Sequence, residues 1–327
     1  MRINRRAFEY FCVNKEQKFA SFFKICVFIT KTKNTMKYIL KTLLLLTISI
    51  TIFAQKGVRP LTPISGHYKE LSKLSGKPTP DSTDRKQFPL EGLSPKNALK
   101  LLLKPSYLLQ PVSEFKLPDF PANSSAQTKA EIEFLLKLQA TARSEEKVKE
   151  SLAFANVYYD VFVKPTDSTY NRFQKNLFHI GRQLPYFSPE KLPITANLMT
   201  KIWSDCTYYF WALKFQYNRT RPYMLDSRIK SLNNTNFQAY PSGHASASYV
   251  AAYIYQELVP EQTNLFVKNA YDMAYSREII GVHYPSDSEA GRIFARQFVN
   301  YLLENPVFKK DLEEARNEII KVKSQFK

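Results

Sequence analysis

Glycine, cysteine and histidine are all scarce in this chain, and each shortage closes off a class of protein. Eight glycines in 327 residues disfavour a turn-rich β-sandwich or barrel. Two of the three cysteines, Cys12 and Cys26, fall within the first 54 residues. The remainder holds Cys206 alone, which can form neither an internal disulfide nor a metal cluster; set in an aromatic helical stretch, it reads as a buried small residue. No block of Lys and Arg interleaved with aromatics is present, which argues against a nucleic-acid module. No repeat of 20–50 residues is apparent. After Ala54 no apolar run of about twenty residues occurs, which argues against an integral membrane domain. Four histidines in the whole chain make the position of each one informative.

What the chain does have is positive charge, +18 overall, of which +8 lies in residues 1–54. Such a balance points to anionic partners without choosing among them. The segment MKYILKTLLLLTISITIFA, residues 36–54, has a basic start (Lys37, Lys41), an apolar stretch and a terminal small residue, the layout of a cleaved signal peptide. We therefore expect residues 1–35 to be an upstream extension of the reading frame and the mature protein to be periplasmic or secreted. A cytoplasmic tail with an uncleaved anchor is the alternative.

Composition divides the rest. Residues 55–121 hold ten of the nineteen prolines and four of the eight glycines, which predicts an irregular arm with at most a short helix at 94–103. From residue 122 to 327 the pattern is helical. Ile132, Leu135, Leu136 and Leu138 form one apolar stripe, and Val148, Leu152, Ala155 and Tyr159 another. Further helices are expected at about 194–219 (stopping ahead of Pro222), 245–258, 264–276, 287–303 and 307–322. No convincing period-2 segment appears, so the expected fold is all-α, a helical bundle.

Three short segments share one chemical theme. In KFQYNRTRP, Lys214 and Arg221 are seven apart, which on a helix puts them two turns apart on one face. They either flank an anion or belong to a solvated basic face. In YPSGHAS, Ser242 and Gly243 precede a helix, whose first N–H groups and dipole make an anion cradle with His244 at its lip; an ordinary serine cap with an incidental histidine is the plainer reading. In SREIIGVHYPSD, Asp287 lies four residues after His283, one turn if a helix begins near Pro285. The carboxylate can fix one imidazole nitrogen and leave the other a nucleophilic lone pair, while Arg277 adds a fork suited to phosphate oxygens. A structural His–Asp pair would look the same in sequence.

Taken in order, Lys214-x6-Arg221-Pro222, then Pro241-Ser242-Gly243-His244, then Ser276-Arg277-x5-His283-x3-Asp287 resembles the compound signature of the type 2 phosphatidic acid phosphatase (PAP2) superfamily. From about Pro118 onward, with YPSGH, GVHYPSD and a late ENPVF, the chain is most similar to bacterial class A non-specific acid phosphatases within it. That resemblance implies an acid phosphatase acting on small phosphomonoesters. His283 would be the nucleophile, oriented by Asp287, and His244 the general acid and base. Lys214, Arg221, Ser242, Gly243 and Arg277 would hold the phosphate. No metal or other cofactor is expected, since three cations balance a phosphate dianion. Inorganic phosphate or vanadate should occupy the same site, and a homo-oligomer is compatible with everything read here. A vanadium-dependent haloperoxidase would use the same cradle, and a peripheral lipid phosphate phosphatase is the other alternative.

Overall fold

The computed structural model describes residues 62, 65–76, 78–158, 161–233 and 235–326. The expected upstream extension, residues 1–35, the expected signal segment, residues 36–54, and Tyr159 of the second stripe lie outside them. Among the described residues the regular structure is helical: α1 (Gly66–Ser72), α2 (Pro95–Ala98), α3 (Ala126–Thr141), α4 (Glu145–Ala155), α5 (Tyr170–Leu177), α6 (Pro193–Tyr217), α7 (Pro222–Leu225), α8 (Gly243–Leu258), α9 (Thr263–Ile279), α10 (Pro285–Glu304) and α11 (Pro306–Lys323), joined in places by 3₁₀ turns. There is one isolated β-bridge, between Gln87 and Arg219. The all-α expectation holds.

The core is built around α8, packed chiefly between α9 and α10. Its sequence, GHASASYVAAYIYQEL, alternates small residues with large ones and is buried on nearly every side. Small side chains let neighbouring backbones approach closely, and the closest approach is at Gly291 of α10. A Cβ there would lie 2.8 Å from the backbone nitrogen of Ser246 and 3.0 Å from the carbonyl oxygen of Ser242. Backbone cannot yield at such distances, so glycine is required where α10 crosses the N-terminus of α8. This crossing brings the second and third sequence segments together. The backbone N–H of Ser242 also donates to the carbonyl of Asp287 at 2.9 Å.

Helix α6 begins at Pro193, a favourable first position, with no cap from its own N-cap residue, Leu192. The cap comes from α11 instead: the Glu318 carboxylate accepts the N–H groups of Ile194 and Thr195, both at 2.8 Å. The helix stops at Asn218, whose φ of 47° is left-handed, a conformation asparagine tolerates at helix ends. It therefore ends two residues before the expected limit of Arg219, and local backbone geometry rather than Pro222 terminates it.

The arm, residues 62–121, packs on this body through Phe88, Tyr107, Leu108 and Phe115, all buried. It contains two short helices, α1 and α2, where one was expected, because Ser65 caps the first by accepting from the N–H of Tyr68. The buried Asp205 carboxylate of α6 holds it, accepting backbone N–H groups from Ser106, Tyr107 and Leu108 at 2.5–3.3 Å. Helix α5 was not anticipated; it buries only Phe173 and Leu177, too weak a stripe to read. No helix of the described residues is long and apolar enough to cross a membrane.

Candidate active site

The spacing of the third segment is explained by how α9 ends. Gly281 has φ 77°. Its N–H bonds to the carbonyl of Glu278 at 3.0 Å, and the N–H of Val282 to that of Arg277 at 3.1 Å. This paired closure, with glycine in the left-handed position, reverses the chain at a helix end. Arg277, in the last turn of α9, and His283, beyond the reversal, consequently reach the same pocket. Two residues later Pro285 opens α10, and Asp287 closes a capping box by accepting the N–H of Tyr284 at 3.0 Å.

The wall of this pocket includes Lys214, Arg221, Gly243, His244, Arg277 and His283. Two of the eight expected site residues sit behind that wall. Ser242, fully buried, caps α8 by accepting from the N–H of Ala245 at 3.4 Å, and Asp287, also fully buried, backs His283. One geometric expectation is corrected. Lys214 and Arg221 do not share a helix face, because α6 ends between them; Arg221 is the N-cap residue of α7. They converge because the left-handed turn at Asn218 folds the chain back.

The electrostatics follow from burial. The Lys214 ammonium donates to the carbonyls of Gln238, Ala239 and Pro241 at 2.8, 3.2 and 2.6 Å. Burial, then the nearby Arg221, push its pKa well down, while three acceptors that only the charged form satisfies together hold the proton. Arg221 donates to the carbonyls of Phe237, Val282 and Gln238 and, from Nη1, to Nε2 of His283 at 2.9 Å. Arg277 bonds the Ser151 carbonyl and the Ser276 hydroxyl.

Nδ1 of His283 lies 3.0 Å from Oδ2 of Asp287. A carboxylate only accepts, so Nδ1 carries the hydrogen and Nε2 the lone pair. That lone pair is not free, as the sequence suggested; it accepts from Arg221. Burial, then Arg221, lower the His283 pKa well below the usual histidine value, so the ring is neutral. Burial raises the Asp287 pKa, but the Arg219 charge and the His283 bond outweigh it and bring it to about 2. Nε2 of His244 donates to the carbonyl of Ala155 at 3.1 Å, which leaves Nδ1 as the nitrogen that can gain a proton. Burial, then Arg277 and His283, lower its pKa well below the usual value.

Sequence reasoning missed Arg219. It is fully buried, donates from Nη1 to Oδ1 of Asp287 and to the Ser286 hydroxyl, both at 2.7 Å, approaches Glu131 of α3 at 3.5 Å, and lies 3.8 Å over the Tyr284 ring. His283, Asp287, Arg219 and Glu131 thus form one buried chain. Burial raises the Glu131 pKa to about 7 despite the arginine. Arg219 sat in plain view within KFQYNRTRP, yet a helical reading pointed it away from Lys214. Glu131, on an otherwise apolar stripe, carried no local signal. Tyr158, Trp203, Phe210, Trp211 and Phe237, which form an aromatic side of the pocket, were not singled out in the sequence.

Residues 194–307 match the family model described as the PAP2 superfamily. That match spans about a third of the chain. The PAP2 stretch covers α6 to the start of α11 and contains every expected site residue. A non-specific acid phosphatase of Providencia stuartii is 39% identical over 85 residues, 26% of this chain and 34% of that protein. A non-specific acid phosphatase of Salmonella typhimurium is 30% identical over 138 residues, 40% of this chain and 55% of that one. The chain therefore spans between about a third and about half the length of these curated relatives. Among solved structures, a bacterial vanadium-dependent iodoperoxidase superposes with a TM-score of 0.51 at 18% identity, covering 73% of this chain and 64% of that one. That likeness concerns the fold.

Proposed function

We propose that this protein is a phosphomonoester hydrolase, an acid phosphatase that works through a phosphohistidine without a metal, in the periplasm or outside the cell. The observation that carries the reading is the convergence of Lys214, Arg221, Arg277, His244 and a carboxylate-backed His283 on one pocket. The acid phosphatases to which the chain is similar support it.

The chemistry runs in two halves. An incoming phosphoryl group takes the Arg221 N–H that now caps Nε2 of His283, which frees the lone pair for in-line attack on phosphorus. The P–N bond forms as the bond to the leaving oxygen breaks, and His244 gives that oxygen a proton. Lys214, Arg221 and Arg277, with the Gly243 N–H at the start of α8, meet the charge on the non-bridging oxygens. Ser242 holds that helix start in place. Water then attacks the phosphohistidine, His244 takes its proton, and the P–N bond breaks to release phosphate. Asp287 fixes the His283 tautomer, and Arg219 fixes Asp287. Both imidazoles are neutral in the absence of ligand. This suits the nucleophile at once, while a bound dianion draws a proton onto His244 by offsetting Arg277.

The direct test is brief reaction with labelled p-nitrophenyl phosphate, acid-free quenching and a search for base-stable label on His283. Label on that residue, lost in His283→Ala, supports the reading. Peroxide-dependent halide oxidation with added vanadate, with no phosphate release, would replace it.

A further inference from the structure

One cation of the pocket wall comes from outside the PAP2 stretch. Lys100 lies in the 3₁₀ turn Leu99–Leu102 that follows α2 in the arm, and it lines the same pocket as Lys214, Arg221, Arg277 and the two histidines. It is 8% exposed, whereas those three cations are at 1% or less, so it stands outermost of the four. The side chain is held in place. Its ammonium donates to Oδ1 of Asn97 at 3.1 Å and lies 4.1 Å over the ring of Trp211, one helical turn ahead of Lys214 on α6. Asn97 in turn donates to Asn236 at 3.3 Å. This ties the arm to the loop that supplies Asn233, Thr235 and Phe237 to the wall. The charge of Lys100 is felt at Lys214, where it adds to the repulsion among the cations.

Geometry then decides which part of a substrate Lys100 meets. In-line displacement places the leaving group opposite the nucleophile. Behind His283 the space is filled by Asp287 and Arg219, both fully buried, so the leaving group extends toward the open side, where the outermost cation stands. Three inner cations already answer the phosphoryl dianion.

We propose that Lys100 recognises a negative charge on the leaving group, so that the pocket prefers phosphomonoesters whose leaving group is itself anionic, through a second phosphate or a carboxylate. This rests on the phosphatase reading above. The test compares wild type, Lys100→Gln and Lys100→Arg on phenyl phosphate, 4-carboxyphenyl phosphate and inorganic pyrophosphate. Dividing variant by wild type on each substrate cancels intrinsic reactivity, and ratios within one preparation cancel any change in folded fraction.

Lys100→Gln is expected to lose about tenfold more kcat/KM on the two charged-leaving-group substrates than on phenyl phosphate, an effect that shrinks with salt. Lys100→Arg should keep the preference. Selective loss on pyrophosphate alone assigns Lys100 to a phosphate, and on the carboxyphenyl ester alone to a carboxylate. Equal loss on all three overturns the role of Lys100 and leaves the phosphatase reading standing. If wild type hydrolyses none of them, the phosphatase reading fails instead. Calorimetric affinities for pyrophosphate and phosphate then still decide Lys100, since an unchanged ratio between them in Lys100→Gln rejects it.

Discussion

The pocket is built from helix ends and the turns between them, the arm largely from irregular backbone, and the two are held in different ways. In the pocket, side chains grip side chains and carbonyls: Asp287 is bonded by His283, Arg219 and the Tyr284 N–H. On the arm, the body grips backbone. Asp205 takes three consecutive N–H groups, Gln297 pairs with both the N–H and the carbonyl of Lys116 at 2.8 Å, and Asn305 donates to the Tyr107 carbonyl at 2.7 Å. Every non-proline residue offers the same backbone groups. The pocket therefore dictates residue types and leaves motifs, while the arm dictates only a path.

Substitutions can break this contrast. The largest effect is expected for His283→Ala, about 10⁴-fold or more in kcat with the thermal midpoint little changed; retained turnover would remove His283 from the chemistry. Next is Arg219→Met, which leaves Asp287 and Glu131 buried without their cation. Breaking a buried pair in this way costs about 3–5 kcal/mol, to be read by denaturant titration, and activity should fall with it. Stability unchanged in that variant would mean that the buried chain is not a unit. His244→Ala should slow alkyl phosphates by about 10²–10⁴-fold and p-nitrophenyl phosphate less, because a good leaving group needs no proton; equal losses would limit His244 to binding. On the arm, Asp205→Ala strands three N–H groups, for about 2–3 kcal/mol, and should expose residues 105–115 to protease before the pocket residues are affected.

A pH experiment sharpens the comparison further. His283, His244 and Asp287 all have folded-state pKa values below their ordinary ones, while Glu131, raised to about 7, opposes them; below about pH 6.5 the two histidines outweigh the one carboxyl, so the folded protein binds fewer protons than the unfolded chain. Stability from the histidines is present above about pH 6.5 and declines as pH falls below it. That from Asp287 is present above its ordinary value and is lost only toward pH 2. Thermal midpoints should drop from pH 7 to pH 5, and phosphate should recover part of the loss by binding the folded state. A flat profile would contradict the charge-crowded pocket. The same shifts place the acid limb of kcat/KM below pH 6.5, since His283 stays neutral there, and an activity optimum on the acid side of neutrality.

How much was readable depended on the range of the interaction. The Gly281 reversal, the Pro285 start and the Ser242 cap are local, so GVHYPSD and PSGH could be interpreted residue by residue. The helices with full apolar stripes were placed to within a few residues, whereas α5, with two buried side chains, was passed over. Arg219 was missed because a single left-handed residue, Asn218, redirects everything after it. Glu131 and Lys100 were silent because each meets the site across more than eighty positions of chain, and nothing beside either marks where it goes.

By itself the sequence pointed to the helical body, to three of the pocket cations and both imidazoles, and to the pairing of His283 with Asp287 four residues on. Those follow from periodicity and from contacts within one turn. Only the tertiary structure decided that Lys214 and Arg221 meet across a chain reversal, that Arg219 and Glu131 extend the buried chain behind His283, and that the arm contributes a fourth cation. The physical reason is the same in each case: these placements depend on where separate segments pack, and Gly291, by letting α10 and α8 touch, fixes that crossing from outside the motifs themselves.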